Sequence, residues 1–183
     1  MCVKDTLQRF GFVSKLLHWT IGIIMIVQFY VIFYYEEIPK DSPLKLEYIL
    51  LHKSLGITLL VLGVFFVIWR LVNQRPLLPD NLTKREVMLA KATHFLLFTL
   101  MVLIPFTGYA LSTSAGRASA WFGYVDLPLL WPASKSAAGL FKEIHEYLAY
   151  TLLGLLALHL LATIKHHFLL KDDVLKRMLP WGK

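Results

Sequence analysis

The chain has 183 residues, enough for one compact unit. Hydrophobic side chains make up 57% of it and charged ones only 17%, against about 25% charged in an ordinary soluble domain. That balance excludes most soluble folds and points to a membrane protein. The net charge of +7 reflects the sidedness of the basic residues set out below, so the composition gives no reason to expect a nucleic-acid partner.

Taken in chain order, four apolar stretches stand out. The first, Leu16–Tyr35, contains no Asp, Glu, Lys or Arg and follows a short amphipathic lead. No small-residue cleavage site follows it, so it reads as a retained helix and not as a signal peptide. An acidic connection with Glu36, Glu37, Asp41 and Glu47 leads to the second, Ser54–Trp69. A basic connection leads to the third, Ala92–Ala115, in which Pro105 and Gly108 predict a kink. The longest connection, from Gly116 to Lys142, holds Trp121, Phe122, Pro128, Trp131 and Pro132 and suits an interfacial cap. The fourth stretch is Tyr147–Ile164. About 20 apolar residues cross the hydrocarbon of a bilayer, and there only a helix satisfies its own backbone. The expectation is an all-α integral membrane four-helix bundle in one domain spanning 1–183, with helices at roughly 12–36, 47–72, 87–113 and 143–169.

Basic residues set the orientation. The lead carries Lys4, Arg9 and Lys15; the second connection carries Arg70, Arg75, Lys84, Arg85 and Lys91; the tail carries Lys165, Lys171, Lys176, Arg177 and Lys183. Those are 13 of the 19 Lys and Arg residues, all on one side of a four-span chain. The positive-inside rule predicts both termini in the cytoplasm.

Seven histidines in so apolar a chain ask for a function, because ionisable groups inside membrane spans are costly. His18 lies near the cytoplasmic start of the first helix, and His52 near the opposite end of the second. His145 opens the fourth helix, and His159 follows 14 residues later, about 21 Å deeper and on nearly the same helical face. Depth pairs His52 with His145 and His18 with His159. Imidazoles opposed across a bundle core suit a haem iron. Zinc would want about four N or S ligands in one cluster, where this chain offers two separated pairs. With the lone Cys2 and no C-x-x-C-H motif, haem would be held by coordination and packing alone. Gly22, Gly56, Gly63, Ala149, Gly154 and Ala157 leave room beside these sites, or simply allow close helix packing.

His166 continues the His145–His159 stripe toward the cytoplasm, and His94 lies at a similar level. Either is a candidate for a quinone head group, an interfacial histidine, or, for His94, an alternative ligand. Ser14, Lys15 and Arg70 are further candidates to frame a quinone or haem propionates on that side. His167 faces elsewhere and receives no role. The third helix, without a histidine at its outer end, is expected to wall the bundle and not to ligate.

The chain also resembles the bacterial cytochrome b561 family, close to its diheme members of similar length. The resemblance rests on Arg9-Phe10-Gly11 with Ser14, His18 and Trp19, on Leu51-His52-Lys53-Ser54 with Gly56, and on Trp69-Arg70. It continues through His94, Gly108-Tyr109, Phe122-Gly123, His145 and His159 to Lys165-His166-His167-Phe168 and Lys171-Asp172-Asp173. The resemblance implies a membrane four-helix bundle with two non-covalent b haems, ligated by His18, His52, His145 and His159, in the bacterial inner membrane. It further implies electron transfer between a periplasmic donor (superoxide for some members, or a redox protein) and the ubiquinone pool. The alternative it carries is an anchor or relay subunit that docks a separate redox partner. Bis-histidine ligation leaves no open iron site, so outer-sphere electron transfer is the expected chemistry. Lys53, Arg117, Lys135 and Lys142 make the outer face cationic, as candidates to pair with haem propionates, to attract a small anion such as superoxide, or simply as solvated surface charge. Membrane lipid and quinone are the expected partners.

Overall fold

The computed structural model describes residues 3–77 and 82–180; Cys2 and Lys183 lie outside this range. Four long helices dominate: α1 Phe12–Glu37, α2 Pro43–Val72, α3 Lys84–Ser114 and α4 Lys135–Ile164. At 26 to 31 residues each is about 40 to 46 Å long, enough to cross a bilayer with a turn or two to spare. A short α5, Val174–Met178, follows α4.

The helices start earlier than hydropathy alone predicts, and local chemistry gives the reason. Pro43 occupies the first turn of α2, where its missing amide costs nothing. Thr83 and Glu86 form a reciprocal capping box at the head of α3. Ser134 caps α4 by accepting from the Ala137 amide at 3.4 Å, so α4 begins at Lys135, well before its apolar run. α3 continues through Pro105 as one helix. At its other end α4 loosens into a π-helical turn, Lys165–Leu169.

α1 packs on α2, α2 on α3 and α3 on α4. Leu17, Ile21 and Met25 of α1 meet Leu59 and Phe66 of α2, Leu100 and Met101 of α3 and Leu152 of α4 in one apolar core. The opposite faces are apolar too. Ile26 is 68% exposed, Leu71 72% and Leu161 62%, an arrangement that would aggregate in water and that lipid accommodates. The chain is a membrane-spanning four-helix bundle.

Four antiparallel spans bring both chain ends to one end of the bundle, where Trp19 Nε1 donates to the Met178 carbonyl at 2.8 Å. The opposite end is closed by the loop between α3 and α4. The loop contains a two-stranded antiparallel hairpin, β1 Ser119–Trp121 and β2 Val125–Leu127. Phe122 and Gly123 between the strands both have positive φ, 49° and 75°, as a type I′ turn requires. The hairpin is sewn onto α2: the Phe122 amide donates to Ser54 Oγ at 3.0 Å and Trp121 Nε1 to Thr58 Oγ1 at 3.0 Å.

Candidate functional site

At the hairpin end, His52 of α2 and His145 of α4 face each other with ring centres 6.2 Å apart and planes at 89°. About four helical turns away, at the termini end, His18 of α1 and His159 of α4 do the same at 6.3 Å and 59°. Two imidazoles on opposite sides of one iron, with metal–nitrogen bonds of about 2 Å, place their ring centres roughly 6 Å apart. Both pairs meet that spacing without rearrangement. The side chains that depth arguments pair are the ones the fold brings together.

The rings are oriented by backbone groups. His145 Nδ1 lies 2.9 Å from the Ile104 carbonyl oxygen. A carbonyl only accepts, so Nδ1 carries the proton and Nε2 keeps its lone pair for a metal. Thr107 Oγ1 lies 3.2 Å from the same Nδ1 and donates to the same carbonyl at 2.7 Å. His94 is fixed likewise, its Nδ1 donating to the Ala90 carbonyl at 2.7 Å. The Nδ1 atoms of His18 and His52 are buried without a partner among the described residues. Beside His52, Gln28 donates through Nε2 to the His52 carbonyl at 2.9 Å, and its Oε1 is buried and unpartnered.

The termini-end pair borders a cavity walled by Gly22, Met25, Phe66 and Met101, with His18, His94 and His159 at its edge. Apolar walls and small residues suit a flat hydrophobic cofactor. His94 approaches His159 with ring centres at 5.3 Å and planes at 86°, nearer than His18 does. Among the described residues, no cluster of three or more His, Cys, Asp or Glu side chains is arranged to hold a metal ion, which a zinc centre would need. The residues present fit haem held by two histidine pairs.

The other predicted residues fall in two groups. Ser14 and Arg70 converge on Asp5, which sequence reasoning passed over. Asp5 accepts from the Gly11 amide at 2.7 Å, from Ser14 Oγ at 2.8 Å and from Arg70 Nη1 at 3.2 Å. Trp69 Nε1 donates to Ser14 Oγ at 2.9 Å. The network ties the N-terminal lead to α1 and α2, and Ser14 is fully buried in it. Gly11 is part of the same junction: a Cβ there would lie 2.5 Å from the Lys4 backbone. His166 does not extend the stripe by simple α-helical phase, because α geometry stops at Ile164. It sits in the π turn with Nδ1 2.5 Å from Asp172 Oδ2, and Asp172 Oδ1 accepts from the Val174 amide at 3.1 Å. The His167 Nδ1 is buried without a partner among the described residues, and its ring meets Phe168. At the hairpin end Lys53 Nζ donates to Ser112 Oγ at 2.7 Å, whereas Arg117, Lys135 and Lys142 are exposed.

Comparison with known proteins gives the family. The profile of the prokaryotic cytochrome b561 family matches residues 9–181. "Cytochrome b561 homolog 2" of Escherichia coli (strain K12) is 30% identical over 189 aligned positions, covering 98% of this chain and 95% of that protein. "Probable superoxide oxidase CybB" of Yersinia pestis is 27% identical, covering 90% and 92%. "Cytochrome b561 homolog 1" of Escherichia coli (strain K12) is 27% identical, covering 97% and 100%. With its four apolar spans and facing histidines, the chain belongs to the prokaryotic cytochrome b561 family, the multi-pass b-haem electron-transfer proteins of the bacterial inner membrane.

Proposed function

We propose that the chain holds two b haems, one between His52 and His145 and one between His18 and His159, and passes electrons across the membrane between an outer donor and the quinone pool. The observation that carries this reading is the pair of imidazole couples at 6.2 and 6.3 Å. Their separation along α4 is about 21 Å. When bound, haem supplies one-electron chemistry at its iron. His52 with His145 and His18 with His159 would hold the haems from both sides, and the chemistry supplied there would be outer-sphere electron transfer. The helices fix distance and orientation, and the apolar walls exclude water.

The excess of basic residues at the termini end puts that end in the cytoplasm and the hairpin end in the periplasm. At the periplasmic end, Arg117, Lys135 and Lys142 are exposed and lend a positive field that attracts an anion. The name of the Yersinia relative, a probable superoxide oxidase, makes superoxide the first donor to try. At the cytoplasmic end, His166 is the candidate quinone contact. Asp172 accepts from Nδ1, which leaves the Nε2 lone pair to take up a proton from the cytoplasm and pass it to a quinone oxygen as the quinone is reduced.

The test is reconstitution of the purified protein in sealed vesicles containing ubiquinone, with a membrane-impermeant donor added outside. Quinone reduction is expected with the intact protein and is lost when either histidine pair is broken. A variant with one pair broken that reduced quinone at the full rate would overturn the transmembrane path.

A further inference from the structure

The third helix supplies neither member of the hairpin-end pair, yet it presents three features to one of them. Ile104 turns its carbonyl to His145 Nδ1 at 2.9 Å. Thr107 places Oγ1 3.2 Å from that nitrogen and donates to the same carbonyl at 2.7 Å. Gly108 leaves the space the ring occupies: a Cβ there would lie 2.9 Å from His145 Cε1 and 3.2 Å from Nδ1. Thr107 is 4% exposed, so its hydroxyl meets these groups and not water.

We propose that the segment from Ile104 to Gly108 is the positioning device of the outer haem, and that the Thr107 hydroxyl tunes this haem alone. The proposal rests on the assignment of His52 and His145 as its ligands. Its physical basis is the hydrogen bond at the far nitrogen of a ligating imidazole. Acceptors at Nδ1 fix the tautomer, hold the ring plane and make Nε2 a stronger electron donor. Stronger donation favours the ferric state and lowers the potential.

The asymmetry between the two centres is what makes this specific. His145 Nδ1 has the carbonyl and the Thr107 oxygen within hydrogen-bond reach, while the His18 Nδ1 has no partner among the described residues. At the hairpin end α3 therefore offers acceptors to a ring nitrogen of the pair, whereas at the termini end it brings the His94 ring beside His159. The hydroxyl also holds the carbonyl toward the ring, so its removal loosens both contacts. Gly108 acts sterically: any side chain there meets the imidazole first, because the ring atoms are the nearest neighbours a Cβ would have.

The experiment is a redox titration of the purified haem-loaded protein, followed optically and by electron paramagnetic resonance, for wild type, Thr107→Val, Thr107→Ser and Gly108→Ala. Thr107→Val keeps the shape and removes the hydroxyl. Both haems are expected to stay low-spin, with the potential of the outer one raised and the other unchanged. The expected size is about tenfold in the ferric-to-ferrous equilibrium, equivalent to 59 mV for one electron. Thr107→Ser is expected to restore the wild-type potential, which a purely volume-filling role would not. Gly108→Ala is expected to lose the outer haem or turn it high-spin while the other keeps its signal. Unchanged potentials in Thr107→Val, or a shift in the other centre alone, would overturn the proposal while leaving the two-haem assignment intact. Wild-type protein with a single haem, or full haem content in His145→Ala, would overturn the assignment itself.

Discussion

Asp5 is the residue whose removal should reveal the fold's dependence on a single buried charge. Its side chain is 0% exposed and that of Arg70 is 19% exposed, so the pair is screened by protein and not by water. Asp5→Ala leaves the Gly11 amide, the Ser14 hydroxyl and the Arg70 guanidinium without their acceptor. Breaking a buried ion pair from one side costs about 3–5 kcal/mol, much of it the penalty for the guanidinium left behind. In a chain of this size 1 kcal/mol moves Tm by roughly 2–4 °C, so the variant should melt roughly 10 °C lower in detergent. The assay is thermal unfolding with haem absorbance recorded alongside. His18 lies one turn beyond Ser14, so the haem at the termini end should be released first on heating. Adding Arg70→Met to Asp5→Ala should recover part of the loss, because both charges are then gone. A single variant that melted within a degree of wild type would refute this reading of the clasp. A double variant less stable than the single one would refute the ion-pair explanation.

Two further substitutions separate ligands from neighbours. His166→Ala should keep both haems and slow quinone reduction about tenfold or more, since the ring is paired with Asp172 and not opposed to another histidine; stopped-flow reduction with ubiquinone checks this. His94→Ala should leave the termini-end haem bound and low-spin, because His18 and His159 already oppose each other at 6.3 Å; the spin-state spectrum of that variant would instead show loss if His94 were a ligand.

What could be read from the chain follows from periodicity. The α-helical repeat carries His145 to His159 on one face over nearly four turns, so depth and face could be counted before any coordinates. The same counting weakens at His166, because the turn from Lys165 to Leu169 is π-helical and no residue type in it announces that change. Asp5 was invisible for another reason. A single carboxylate in a basic lead looks solvated until Ser14, Trp69 and Arg70 are folded around it. The hairpin hid in a three-residue alternation, and its turn places Phe122 at positive φ, a conformation a bulky aromatic residue rarely signals. The contribution of α3 to His145 passes through a backbone carbonyl, and every residue has one; Gly108 beside it reads in the sequence only as part of a kink with Pro105.

The most direct test is haem stoichiometry and spin state measured on four single variants of the purified protein. His52→Ala and His145→Ala should each deplete, or turn high-spin, the same haem, because those rings face each other at 6.2 Å. His18→Ala and His159→Ala should each affect the other haem and leave the first low-spin. The roughly 21 Å between His145 and His159 along α4 is too great for a shared iron. Perturbation of one and the same centre by His18→Ala and His52→Ala would contradict the two-haem arrangement.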